Sequence, residues 1–155
     1  FKLLRVFRAL RLIKLVRLLK GSRIAKRWET HLAIDYSLIS LCKAFGGVFT
    51  IAHWMACLWI LQATIVETPE KTWLNPNYCA EILPVGDETS SHWQCEHHAV
   101  IYAAGLYWSI MSITSIGYGD ISATPANPWE QTVASALMIT GAIMWAQLIG
   151  TFCGV

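Results

Sequence analysis

Apolar and polar residues are laid along this chain in blocks. Residues 1–20 alternate one cation with two largely apolar residues: Lys2, Arg5, Arg8, Arg11, Lys14, Arg17 and Lys20 stand three apart, and Leu, Val, Ile, Phe and Ala fill nearly all the gaps. A polar stretch follows from Arg23. From about Leu38 to Val66 the chain is apolar over more than the ~20 residues a membrane-crossing helix requires. Residues 67–98 turn polar, with Pro69, Pro76 and Pro84. An apolar run over 100–113 is too short to cross a bilayer, and a last apolar stretch runs from about Gln131 to Val155. The pattern predicts an all-α membrane protein divided as 1–22 charged helix, 23–36 connector, 37–66 first span, 67–98 outer loop, 99–128 short helix and its exit loop, and 129–155 second span.

The three-residue rhythm of the cations narrows what the first helix does. Three residues turn an α-helix by ~300°, so successive charges drift by about −60° and travel around it. A helix lying on a membrane, or an amphipathic target helix, keeps its charges on one side. A tightened 3₁₀ helix would gather them into a single stripe. A spiral or stripe of cations in apolar filling suits a helix that moves in an electric field, where each charge is worth about 2.3 kcal/mol per 100 mV. A nucleic-acid patch leaves the Leu and Val filling unexplained, so no nucleic-acid partner is expected.

Composition and charge agree with a membrane setting. The chain has 155 residues, of which 55% are hydrophobic, and a positive mean hydropathy of +0.44. Eight Trp are many for this length, and aromatic belts at the two membrane interfaces would use them. Ten of the twelve Lys and Arg lie within residues 1–27, and all ten acids come later. Cations before the first span place that end inside and the acidic loop outside, where it would concentrate cations. The chain opens on Phe1 without an initiator Met and stops within an apolar run, which reads as an excerpt of a longer, multi-pass protein of the plasma membrane.

Isolated residues carry less. Lys43 reads as a snorkelling side chain and His53 as a packed, hydrogen-bonded one. Gly46-Gly47 would permit close helix approach or a kink. Cys79 and Cys95 share the outer loop, where a disulfide and two free thiols are both open readings. Cys42, Cys57 and Cys153 read as buried thiols. His92, Cys95, His97 and His98 fit no strong zinc spacing, so a solvated loop is the better reading. No nucleophile–base pair, phosphate loop or metal site supports an enzyme, and no cofactor is expected.

The sharpest signal is Thr114-Ser115-Ile116-Gly117-Tyr118-Gly119-Asp120. A potassium ion that sheds its water needs a cage of oxygens, which stacked backbone carbonyls supply. Two glycines let successive carbonyls point one way through backbone angles a side chain would penalise. Non-helical backbone at membrane depth is tolerated only where protein buries it and it lines a cavity. That fits a re-entrant short helix leading into the loop. One loop has too few carbonyls to surround an ion, so four chains must pool theirs, which predicts a homotetramer.

Taken in order, the chain resembles a voltage-gated potassium channel of the branch with cyclic-nucleotide-binding-type domains, running from the sensor helix to the inner pore helix. Ile51-Ala52-His53-Trp54-Met55-Ala56-Cys57 looks like the I-A-H-W-x-A-C of the ether-à-go-go outer helix. Leu106-Tyr107-Trp108-Ser109 is similar to the pore-helix L-Y-W-S of cyclic-nucleotide-gated and plant channels. Gly141 to Gly150 follows the branch's inner-helix pattern, and the long ladder with Trp28-Glu29 and Tyr36 is similar to the hyperpolarisation-activated group.

The resemblance implies a fold: a voltage-sensor helix plus a two-span pore module with re-entrant pore helix and selectivity filter, tetrameric in the lipid bilayer. It also implies roles. Thr114 to Asp120 form the selectivity filter, with K+ at the carbonyls of Ser115, Ile116, Gly117 and Tyr118. Lys2, Arg5, Arg8, Arg11, Lys14 and Arg17 sense voltage. Gly141 serves as an inner-helix hinge, with Trp145 and Ile149 lining the cavity. Tyr107 stands where many relatives brace the filter's Asp with a Trp, and its hydroxyl would still donate to Asp120. Met111 stands where some carry a Glu.

Ser115 and Asp120, where mixed-cation relatives have Cys and no Asp, favour a potassium-selective pore. The alternative is a hyperpolarisation-activated Na+/K+ channel modulated by cyclic nucleotides, whose binding domain would lie beyond Val155. A carrier-type potassium transporter would need four related loops in one chain.

Overall fold

The computed structural model describes residues 36–66, 69–75, 77–82, 92–125 and 127–154. The charged ladder and nearly all of the connector lie outside them. Three helices dominate: α1 (Tyr36–Ile65), α2 (His98–Ile113) and α3 (Pro128–Cys153). Between α1 and α2 stand a single 3₁₀ turn (Pro69–Lys71) and two short strands, β1 (Cys79–Ile82) and β2 (His92–Cys95). From Lys43 onward the chain makes one compact unit.

Helices α1 and α3 are each long and apolar enough to cross a membrane, whereas α2 is shorter. Because α1 is apolar on every side, its burial pattern rather than its polarity shows how it packs. Ala52, Met55, Ala56, Trp59, Gln62 and Ala63 are buried, at the three- and four-residue steps of one helical stripe. Phe45, Phe49, Leu58 and Ile65 of α1 are exposed, as are Met138, Ile139, Ile143 and Phe152 of α3. That much uncovered apolar surface belongs against lipid or other protein. Helix α1 runs unbroken through Gly46 and Gly47, and a Cβ at either would meet nothing within 4 Å among the described residues.

The core is built on a column of indoles. Trp59 of α1 stacks on Trp108 of α2 with centroids 4.1 Å apart, and on Trp73 of the outer segment at 5.9 Å. The Trp73 indole N–H donates to the Trp59 carbonyl at 3.3 Å. All three rings are buried, so these tryptophans do not serve the interfacial belts that their number predicts. They join α1, α2 and the outer segment, because a flat ring hides more apolar area per side chain than any aliphatic residue.

The outer segment is more ordered than a polar loop. Tyr78 and Cys79 both donate to the Leu74 carbonyl, at 2.8 and 3.0 Å. Strands β1 and β2 pair antiparallel with Cys79 opposite Cys95, and a disulfide joins these two residues. Local polarity hid this pairing, because four-residue strands carry too little alternation to be read.

Helix α3 begins at Pro128, three residues ahead of the apolar run. Asn127 caps it, its side chain accepting from the Glu130 N–H at 3.2 Å, and Pro128 occupies the first turn, where its missing N–H costs nothing.

Candidate functional site

The segment Thr114–Asp120 leaves the C-terminal end of α2 as non-helical backbone. The N–H groups of Thr114 to Gly117 turn back toward that helix. Thr114 donates to the Ile110 carbonyl at 2.9 Å and Ser115 to Ser112 at 3.2 Å; Ile116 and Gly117 both donate to Met111, at 3.0 and 3.3 Å. The last carbonyls of a helix lack partners within it, so the loop satisfies α2 and α2 holds the loop. The carbonyls of Ser115, Ile116, Gly117 and Tyr118 accept no hydrogen bond from any described residue.

Backbone angles explain how those carbonyls are turned. Ser115, Gly117 and Gly119 have φ of +59°, +57° and +81°, while Ile116 and Tyr118 between them do not take positive values. In an ordinary strand successive carbonyls point to opposite sides. Reversing the hand at every second residue turns each peptide plane over, so the carbonyls come to share one side. Concave backbone of this kind places like dipoles together and binds ions. The glycines adopt the left-handed region freely, whereas Ser115 does so at a cost of roughly 1–2 kcal/mol. The motif predicts left-handed backbone at its two glycines, and Ser115 is a third such position.

Side chains of the loop have little support from their own chain. Tyr118 is 70% exposed and Ile116 55%. Thr114 is held at the loop's start, its hydroxyl donating to the Ile110 carbonyl at 2.9 Å, and Tyr107 stands next to Asp120 at its end. Hydrogen bonding to the Asp120 carboxylate, then desolvation and that carboxylate's charge, raise the Tyr107 phenol above its ordinary value near 10. A raised phenol contributes stability that is fully present below the ordinary value and lost as pH rises through the raised one.

The other residues singled out in the sequence fall at separate places. Gly141 is buried where α3 passes the end of α2, and a Cβ there would meet the Ile113 Cα and Cγ1, each at 3.2 Å. Helix α3 runs through Gly141 unbroken. Trp145 is half-buried against the core, and Ile149 is exposed. Met111 is buried and lends its carbonyl to the loop. His53 sits between two partners, 2.8 Å from the Tyr102 hydroxyl and 3.7 Å from the Cys57 sulfur. His97 caps α2, its Nδ1 accepting from the Ala99 N–H at 3.2 Å. Lys2, Arg5, Arg8, Arg11, Lys14 and Arg17 lie outside the described residues.

One residue near the loop went unread in the sequence. Glu130 is wholly buried, at 0% exposure. Its carboxylate accepts from the Gln62 amide at 2.9 Å, the Trp73 N–H at 3.1 Å and the Thr124 N–H at 3.1 Å. Thr124 follows the loop's exit, so Glu130 links that exit to α1, the outer segment and α3. A Glu three residues after an N-cap Asn reads as a local capping residue, and nothing local reveals these distant donors.

The family model described as ion transport protein matches residues 1–153. The rat voltage-gated delayed rectifier potassium channel KCNH1 is 28% identical over 142 residues, covering 85% of this chain and 14% of its own length. The potassium voltage-gated channel unc-103 of Caenorhabditis elegans is also 28% identical over 142 residues, covering 85% of this chain and 16% of its own length. The potassium channel KAT6 of rice is 27% identical over 129 residues, covering 83% of this chain and 19% of its own length. The chain therefore spans less than a fifth of each of these relatives.

The left-handed backbone has a direct consequence for stability. Gly119→Ala should lower the thermal unfolding midpoint of the detergent-purified protein, since a side chain in that region costs about 1–2 kcal/mol. Gly46→Ala, in open helix, should leave the midpoint unchanged or raise it, through a stabilisation of up to about 1 kcal/mol. Equal midpoints for Gly119→Ala and wild type would remove the constraint placed on the loop.

Proposed function

Because the chain belongs to the family of ion transport proteins, we propose that it is the pore-forming part of a voltage-gated, potassium-selective channel that conducts K+ passively. The observation that carries this reading is the loop Thr114–Asp120. The N–H groups of Thr114 to Gly117 are fastened behind it, and the carbonyls of Ser115, Ile116, Gly117 and Tyr118 accept from no described residue. Free carbonyls turned to one side are what a dehydrated cation needs. The last turn of α2, partly negative at its C-terminal end, adds to the attraction. The names of the relatives point to potassium as the ion.

The same loop argues for four copies around one axis. A single chain contributes one wall of carbonyls, and the exposure of Ile116 and Tyr118 leaves their side chains for neighbouring subunits to cover. Helix α2 is then re-entrant: it enters the membrane from the outer side and stops at the filter, with α1 and α3 spanning around it. Residues 1–22 act as the voltage-sensing helix, 23–36 as its cytoplasmic linker, 37–66 as the outer helix, 67–98 as the extracellular turret, 99–128 as pore helix, filter and mouth, and 129–155 as the inner helix of a plasma-membrane protein. In this reading Gly141 is the inner-helix hinge, and Trp145 and Ile149 face the central cavity.

Voltage-clamp recording of the full-length protein tests both halves of the proposal. With potassium on one side and sodium on the other, the reversal potential should lie close to the potassium equilibrium value. A reversal near zero would mean a mixed Na+/K+ pore and overturn potassium selectivity. Arg8→Gln with Arg11→Gln should make opening less steeply voltage-dependent, each sensing charge being worth about 2.3 kcal/mol per 100 mV. An unchanged slope would take both residues out of the sensor.

A further inference from the structure

We propose that Glu130 is a positioning residue for the conducting filter: it fastens the filter's exit at Thr124 to three other elements and so keeps the outer mouth from collapsing while the channel stays open. The inference rests on the reading of Thr114–Asp120 as a filter, and deepens it. At its start the loop is held by Met111, through the N–H groups of Ile116 and Gly117. Beyond Tyr118 no backbone hydrogen bond to α2 is present among the described residues. The exit is held instead by Glu130, whose second carboxylate oxygen, Oε2, accepts from the Thr124 N–H at 3.1 Å.

The first oxygen, Oε1, accepts from the Gln62 amide at 2.9 Å and the Trp73 N–H at 3.1 Å. The arrangement is directional. Reversing the Gln62 amide would set its oxygen against the carboxylate, so Gln62 is held with its NH₂ forward. Trp73 is fixed in turn by its stack on Trp59 and its indole bond to the Trp59 carbonyl. Glu130 thus has a rigid anchor on one oxygen and the filter's exit on the other. Three further bonds reinforce the joint: the Gln131 amide donates to the Thr124 and Pro125 carbonyls at 3.4 and 3.2 Å, and the Asn127 amide donates to the Lys71 carbonyl at 2.8 Å.

Only an acceptor on both oxygens satisfies this geometry. In Glu130→Gln one of the two positions becomes an NH₂ that faces a donor, and a buried N–H loses its partner. With the exit untied, the carbonyls of Gly117 and Tyr118 are free to rotate out of line. A potassium ion in the outermost position opposes this, because a ligand stabilises the state that binds it.

The test uses the full-length channel under sustained opening steps. The current of E130Q should decay about tenfold faster than wild type, the factor expected for one lost hydrogen bond to a carboxylate. Raised external potassium should slow that decay, while the voltage for half-opening stays in place. Thr124 replaced by its α-hydroxy acid, which deletes the N–H and keeps every side chain, should reproduce the effect.

Where E130Q does not reach the membrane, the Thr124 ester decides alone. Wild-type decay in the ester variant would overturn the proposal. So would decay in either variant that is indifferent to external potassium. Failure of both variants to reach the membrane would assign Glu130 to folding only and overturn it equally. A wild-type protein without potassium-selective current would sink the reading of the loop instead.

Discussion

A backbone that leaves its carbonyls free must fasten its N–H groups elsewhere, and here those of Thr114 to Gly117 end on the last turn of α2. Met111 receives two of them, from Ile116 and Gly117. This single attachment satisfies helix carbonyls that would otherwise be orphaned and fixes which way the loop's oxygens face. Packing around it places α2. The indole column of Trp59, Trp73 and Trp108 sets its distance from α1 and the outer segment. Gly141 lets α3 pass close beneath its end, at Ile113.

The energetic logic separates packing from polarity. Where α1, α2 and the outer segment meet, stacked rings do the packing, each Trp adding on the order of 3–5 kcal/mol against truncation to Ala. Where α3 begins, the polar Glu130 makes the joint. A buried carboxylate is costly without partners, and three donors surround this one. Hydrogen bonds of that sort are directional where apolar contact is not. A joint built from them sets the position of Thr124, whereas an apolar contact would set only its distance.

Much of the architecture could be read from the residues. Both long helices, the short apolar helix between them and the glycine-bearing loop are visible as block lengths and as one motif. What escaped was of two kinds. The indole column escaped because tryptophan suits an interface and a core equally well, and sequence does not say which rings meet. Glu130 escaped because its partners Gln62 and Trp73 lie 68 and 57 residues away, while its own surroundings read as an ordinary helix start. Ser115 shows a third limit. A non-glycine residue at φ +59° is rare, and only its place between an anchored helix end and two glycines explains it.

The central claim is that one hand-alternating loop from each of four chains makes the cation site. A structure of the full-length protein determined in potassium, and again with sodium in its place, tests this most directly. The account predicts four-fold symmetry, with ions on the axis ringed by the carbonyls of Ser115, Ile116, Gly117 and Tyr118 in potassium, and a changed or depleted row in sodium. A different symmetry, or those carbonyls facing away from the axis in potassium, would contradict it.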